Sequence, residues 1–475
     1  MKKRNHKPLG VFLSSLLLIF VSVGDTCAET KVSRPNIVIM FIDDMGYGDI
    51  GPFGNTVNQT PHLDRMAEEG MVLTDFYVAN TACTPSRAAL LTGTYAQRIG
   101  MDGGKLSVTF PGDSRGLNPN EITLAEMLRE NGYATGCFGK WHLGDQPEFM
   151  PLAQGFDTYF GIPYSNDMWP LHTRSNPITK RKYEPLPVMK QNQAVAHVAD
   201  GADQSLLAEV FTDEAIGFIK KNQKQPFFCY IPHAHVHKPR YARPDYLARA
   251  EGNVDRAHVE EVDDSIGRIL QTLKDLKLDQ NTLVIFTSDN GPASGMSSGP
   301  LRGGKGGPKY EGHMRVPTLA WWPGTIPGGI KTKEIGVTTD LLPTLAKLTG
   351  SCIPDDRIID GQDITDLLLG KKDARSPHKI HFYENEGIRR GDWKLVTNQA
   401  RGKTRFELYD LAKDLGERTD LSRSHPKMVE ELDRLRNDHA SSIAANTRPA
   451  GFAKTPKPIL QHVGDLPTLK EYTGK

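Results

Sequence analysis

Four short apolar runs punctuate the chain, and each stops at a polar cluster. Residues 35–42 read P-N-I-V-I-M-F-I, without the alternation of a half-exposed strand, which predicts a strand buried on both faces of a parallel or mixed sheet. Residues 133–138, 226–231 and 282–286 repeat the pattern. Between them, apolar positions recur at helical spacing: residues 121–131 with Ile122, Leu124, Ala125 and Leu128, stopping at Gly132; 205–221 with Leu207, Val210, Phe211 and Ile216; and 258–276 with Val262, Ile266, Ile269, Leu270 and Leu273. Residues 317–322 add a strand, and 339–348 a helix with Pro343 in its first turn. Strands alternating with helices predict an α/β fold: a large mixed, mostly parallel sheet sandwiched by helices.

The stretch from Gly161 to Asp167 is rich in turn residues, and little periodicity follows until about Gln204, which predicts a long loop over the site that sets specificity. Its Lys180-Arg181-Lys182 triplet reads as a solvated run. Past residue 365 the character changes. Residues 378–384, 387–396 and 406–411 are short strand-like pieces and 426–444 is helical, predicting a smaller C-terminal α+β domain (366–475) with an antiparallel sheet. From Asn446 the Pro- and Lys-rich tail predicts no regular structure.

The other end is a targeting segment by pattern. Residues 1–6 are basic, 9–23 almost wholly apolar and 26–28 small, the layout of a signal peptide spanning 1–28. That leaves 29–365 as the large domain of an exported, soluble protein. No later run is long enough for stable membrane insertion. With 58 basic against 57 acidic side chains, nothing supports nucleic acid as a partner. After loss of Cys27, Cys83, Cys137, Cys229 and Cys352 are too few for a disulfide scaffold.

The strand ends carry the chemistry. Asp43-Asp44 follow the first strand, and two adjacent carboxylates there are costly unless a cation neutralises them, although D-D-M-G-Y-G-D alone also fits an exposed turn. Lys140 and His142 follow the second, surface residues if taken alone and candidates to bind or protonate a leaving oxyanion if an anion site lies nearby. His233, His235 and His237 follow the third, as a metal tract or as acid and base. Asp289-Asn290 follow the fourth. Asp43, Asp44, Asp289 and Asn290 are hard oxygen donors from two strand ends, which suits Ca²⁺ or Mg²⁺ and not Zn²⁺.

Those ends serve residues 79–93, A-N-T-A-C-T-P-S-R-A-A-L-L-T-G. Thr84 or Ser86 can cap a helix and Pro85 suits its first turn, so Cys83 is expected at a helix N-terminus, an anion site with Arg87 one turn in. Such a setting favours a thiolate.

C-T-P-S-R followed by A-x-L-L-T-G resembles the signature of the formylglycine-dependent sulfatases, of the alkaline phosphatase superfamily. P-N-I-V-I-M-F-I-D-D, G-K-W-H-L-G, G-I-P-Y-S, S-D-N-G and E-L-Y-D-L extend the likeness from about Arg34 to Asp420. The resemblance implies that a maturation enzyme oxidises Cys83 to formylglycine, whose hydrate attacks a sulfate ester of a sugar or aryl alcohol. It implies Asp43, Asp44, Asp289 and Asn290 as Ca²⁺ ligands, completed by the modified Cys83, and Arg87 and Lys140 steadying the hydrate. It implies His142 as the base that expels sulfate, Ser165 supporting that network, His237 (with His235 second) on the sulfate, and Lys305 on the sulfate and leaving group. Two features depart from the pattern. The usual E-G-G is Glu311-Gly312-His313, and the gap before Glu311 is one residue longer, which makes Lys309 the alternative to Lys305. A further family histidine of the late chain has no matching motif here, and His381 is the candidate for its place. The same constellation also suits phosphate esters.

Overall fold

A computed structural model describes residues 34–475 apart from 104–106, 308, 401 and 461; the expected signal peptide lies outside the described residues. Five parallel strands form the centre of a ten-stranded sheet: β1 (Asn36–Ile42), β2 (Ala134–Lys140), β3 (Thr158–Ile162), β4 (Phe227–Pro232) and β5 (Thr282–Ser288), in the spatial order β5-β1-β4-β2-β3. Beyond β5, Thr318–Trp321 joins antiparallel, followed by Met71–Leu73 and Ile330–Thr332.

The unbroken apolar composition of β1 is explained by its surroundings. Ile37, Ile39 and Phe41 belong to the core on one face of the sheet, and Val38, Met40 and Ile42 to the core on the other. A strand's period of two sends neighbours to opposite sides, so both sets need apolar side chains. Helix α1 (Cys83–Thr92) and Leu341–Thr349 cover the first face; Leu207–Asn222 and Val254–Asp275 cover the second. The last starts at Val254 rather than residue 258 because the Asn253 side chain accepts from the amides of Asp255 and Arg256. Ile216, expected inward on Leu207–Asn222, is only partly buried.

Two expectations are overturned. The stretch read as a loop to Gln204 contains Leu186–Lys190 and Gln193–Val198, a hairpin that extends the large sheet beyond β3, and then the short helix Gly201–Gln204. Its edge position lets polar and apolar residues mix, which erased the pattern. The tail is not irregular throughout: Gly451–Phe452 pairs with Arg115–Gly116, and Leu469–Thr473 is a helix with a capping box from Thr468 and Glu471.

A separate antiparallel sheet follows the main one: His381–Tyr383, Gly387–Arg390, Trp393–Ala400 and Lys403–Asp410, with Pro426–Ala445 packed on it. Residues 387–396, read as one strand, are two strands joined at Gly391 in positive φ. Lys394, fully buried, ties this sheet to the short helix Glu311–Met314, which precedes Thr318–Trp321 of the large sheet, through Glu311 at 2.9 Å.

Candidate active site

Because β1 pairs in register with β5 (Ile42 opposite Ser288), Asp43-Asp44 and Asp289-Asn290 emerge side by side at the carboxyl edge of the sheet. There the Asp289 carboxylate accepts from the Asp44 amide (3.2 Å) and the Asn290 side-chain amide donates to Asp44 (2.7 Å). Helix α1 points its N-terminus at the same place, the crevice where open α/β sheets gather their chemistry. Its N-cap is Ala82, with no side-chain cap. Thr84, one of the two expected caps, instead donates to the His142 carbonyl at 2.8 Å, and the other, Ser86, has a buried hydroxyl without a partner among the described residues.

Cys83 is the first helical residue. Its thiol donates to Asp43 Oδ1 (3.4 Å), lies 3.8 Å from Asn290 Oδ1, and accepts from Lys305 Nζ at 3.2 Å. The expected thiolate is not favoured. Burial, and then the Asp43 carboxylate, push the thiol up to about 12, outweighing Lys140 and Lys305. In this setting the side chain of an unmodified Cys83 is held as the thiol.

Arg87 and Lys140 are completely buried counter-ions. Arg87 forks onto Asp289 (Nε 3.1 Å, Nη2 2.8 Å) and donates to the Lys140 carbonyl; Lys140 pairs with Asp43 and donates to Ser165 Oγ at 3.0 Å. Burial opposes ionisation of Asp43, but Lys140, His237 and Arg87 together hold it well below the usual carboxylate range. Burial and repulsion from Asp43 raise Asp289 to about 7. Ligand atoms of Asp43, Asp44, Cys83 and His237 lie within 4.8 Å of one another. With Asp289 and Asn290 beside them, the donors are mostly hard oxygens whose mutual repulsion a divalent cation relieves, so this chemistry fits Ca²⁺ or Mg²⁺. A second acidic group, His62, Asp263 and Asp264, is explained without a cation: Asp263 accepts from the His62 and Leu63 amides, and Asp264 from Tyr246 and Arg249.

His142 is held in one tautomer. Its Nε2 lies 3.1 Å from the Thr109 carbonyl, which can only accept, so Nε2 carries the hydrogen and Nδ1 keeps a lone pair. Nδ1 is buried and has no partner among the described residues. Burial, then Lys140 and Arg87, hold the ring well below the usual histidine value. A nearby cation would move it the same way. His142 therefore stays neutral at pH 6.5 and protonates only well below it, which ring-nitrogen NMR titration measures; half-protonation at or above 6.5 would contradict this geometry.

The remaining candidates divide. His237 reaches Asp44 (Nε2 to Oδ2 3.7 Å) and lines the cleft. His235 is turned away, its Nε2 3.2 Å from Glu261 and its ring stacked on His258 at 4.1 Å; an alternating triplet faces one way only in extended chain. Lys305, not Lys309, meets the cluster, contacting Asp44 at 2.5 Å as well as Cys83. Lys309 binds Thr81 Oγ1 (3.1 Å) and Glu384 (3.0 Å) on the cleft wall. His381 is buried between Tyr77 and Tyr383, outside the cleft lining. Sequence reading missed Thr109, Asp167, His172 and Glu384: the first acts through its backbone, Asp167 lies two residues past G-I-P-Y-S, and the other two come from segments without a motif. The cleft of about 1000 Å³ that Asp167, His172 and Glu384 line with Cys83 and Lys305 is far larger than a sulfate ion needs, leaving room for the alcohol that carries it.

A buried cysteine at a helix N-terminus, paired cations and a neutral histidine, gathered at strand ends, suit a hydrolase of anionic esters. The family model described as Sulfatase matches residues 35–351, and one described as N-sulphoglucosamine sulphohydrolase, C-terminal, matches 308–440. Over 494 aligned residues the chain is 37% identical to human arylsulfatase A, covering 93% of this chain and 95% of that one. It is 37% identical to dog N-acetylgalactosamine-6-sulfatase, covering 82% and 75%. The crystal structure of PsFucS1 sulfatase from Pseudoalteromonas sp. superposes with a TM-score of 0.77 at 27% identity, covering 86% and 91%. The chain belongs to the sulfatase family, within the alkaline phosphatase superfamily, and is a hydrolase of sulfate esters.

Proposed function

We propose that this sulfatase acts through a formylglycine made from Cys83 by a maturation enzyme, with Ca²⁺ (or Mg²⁺) held by Asp43, Asp44, Asp289 and Asn290. The observation that carries this is the placement of Cys83: a buried thiol at a helix N-terminus, touching Asp43, Asn290 and Lys305 at once. The aldehyde hydrate would supply the nucleophilic oxygen, and the cation would stabilise negative charge on the oxygens around it.

This chain's own residues do the rest. Arg87 and Lys140 fix the carboxylates and, with the helix end, keep the anion pocket positive. Lys305 and His237 face the sulfate and the departing alcohol, and Ser165 holds the Lys140 ammonium. His142 Nδ1, a bare acceptor, takes a proton from position 83 and so frees the sulfate. Water is kept from these groups by complete burial of Arg87, Lys140, Asp43 and Asp289.

The substrate is a sulfated sugar or an aryl sulfate, in keeping with the names of the two relatives. The enzyme is exported after loss of residues 1–28, and the small sheet with its helix forms a second domain from about residue 366. No helix among the described residues is long and apolar enough to cross a membrane. Rates on paired aryl sulfate and aryl phosphate esters, before and after chelation, test the reading. We expect sulfate turnover to exceed phosphate turnover, to fall at least about tenfold on chelation and to return with Ca²⁺ or Mg²⁺. Faster phosphate turnover, or indifference to chelation, would overturn it.

A further inference from the structure

The segment that carries Lys305 has almost nothing of its own to hold it. Gly303, Gly304, Gly306 and Gly307 flank the lysine, and Gly303 and Gly306 sit at positive φ. Residues of this kind lose the most freedom on ordering and bring no side chain to anchor them. The Lys305 amide donates to the Pro292 carbonyl at 2.9 Å, yet the side chain must be delivered to Asp44 and Cys83 with little latitude.

The support comes from the residue that breaks the E-G-G pattern. His313, on the short helix Glu311–Met314, is 4% exposed and lies directly beneath the segment. The Gly307 amide donates to its Nδ1 at 3.3 Å. A methyl built on Gly303 would stand 2.2 Å from His313 Nε2, and one on Gly307 2.3 Å from Cε1, so the ring fills the space against both ends of the segment. Burial, with Lys394 and Lys309 nearby, holds the imidazole down at about 3, so the ring is neutral, and the Gly307 N–H facing Nδ1 assigns the lone pair to that nitrogen.

We infer that His313 is a positioning residue for Lys305: its ring and its Nδ1 acceptor fix the Gly303–Gly307 segment so that the ammonium reaches position 83 and the departing oxygen. The inference rests on the sulfatase reading, with Lys305 assisting departure. Misplacing Lys305 hurts substrates with poor leaving groups most, because they need that assistance.

The test is a series of aryl sulfates graded by the acidity of the leaving phenol, run on the mature enzyme with Lys305→Ala, His313→Ala, His313→Asn and the Lys305/His313 double variant. Asn places an acceptor oxygen where Nδ1 stood and guards against a His313→Ala variant that fails to fold. The expected result is a kcat/KM loss for His313→Ala of about tenfold on the worst leaving group and about twofold on the best, with recovery in His313→Asn. On the Lys305→Ala background, removing His313 costs less than about a further twofold. A uniform loss across the series, or losses that multiply fully in the double variant, overturns the assignment. Failure of Lys305→Ala itself to steepen the dependence instead overturns the role given to Lys305, so the two failures are distinguishable.

Discussion

Replacing Cys83 with alanine abolishes turnover, lowering kcat on an aryl sulfate by about 10⁴-fold or more, while the variant still folds. The size of the effect follows from what is left behind. His142 Nδ1 would have no proton to take from position 83, and Lys305 no attacking group to serve, so only charge stabilisation and binding remain. The fold should tolerate the change because Cys83 is small and its bonds to Asp43 and Lys305 are not what anchors either: Asp43 keeps Lys140 and Arg87, and Lys305 keeps Asp44. Circular dichroism and a thermal melt verify folding, and steady-state rates give the loss. A variant that retains a tenth of the parental rate would show that another group supplies the nucleophile.

Arg87→Met should cost about 3–5 kcal/mol of folding stability and reduce activity by at least about a hundredfold. Arg87 is wholly buried, and its guanidinium satisfies Asp289 by two bonds, the Lys140 carbonyl by a third, and approaches Asp43 at 3.4 Å. An apolar side chain leaves two carboxylates facing each other out of water. Denaturant titration measures the loss, and Arg87→Lys, which keeps the charge but not the fork, should fall between. Parental stability in Arg87→Met would contradict the view that these charges are mutually dependent.

Much of the large sheet was legible because it is buried on both faces. A run such as I-V-I-M-F-I has only one inexpensive home, and motifs at the ends of such runs must converge if the strands are parallel neighbours. That is why Asp43, Asp44, Asp289, Asn290, Lys140 and His142, from segments far apart in sequence, could be read as one cluster. The hairpin of residues 186–198 was illegible for the opposite reason: at the sheet edge it mixes polar and apolar positions, and a one-residue irregularity between Val188 and Met189 shifts its register. The thiol's state was also misread, since a helix N-terminus signals stabilisation of an anion, whereas burial depends on neighbours that spacing does not reveal. His235 and His237 differ by two residues and point to different sides of the wall, a distinction set by the turn that follows β4. Sequence put Lys305 first with Lys309 as its alternative; their reach separates them, one to Asp44 and the other to Glu384.

The account stands on the chemistry of position 83, and mass spectrometry of the peptide spanning residues 79–93, taken from enzyme with measured activity, addresses it most directly. The expected residue is lighter than cysteine, with oxygen in place of sulfur and two hydrogens fewer, in proportion to the specific activity of each preparation. Fully active enzyme whose Cys83 is intact would contradict it.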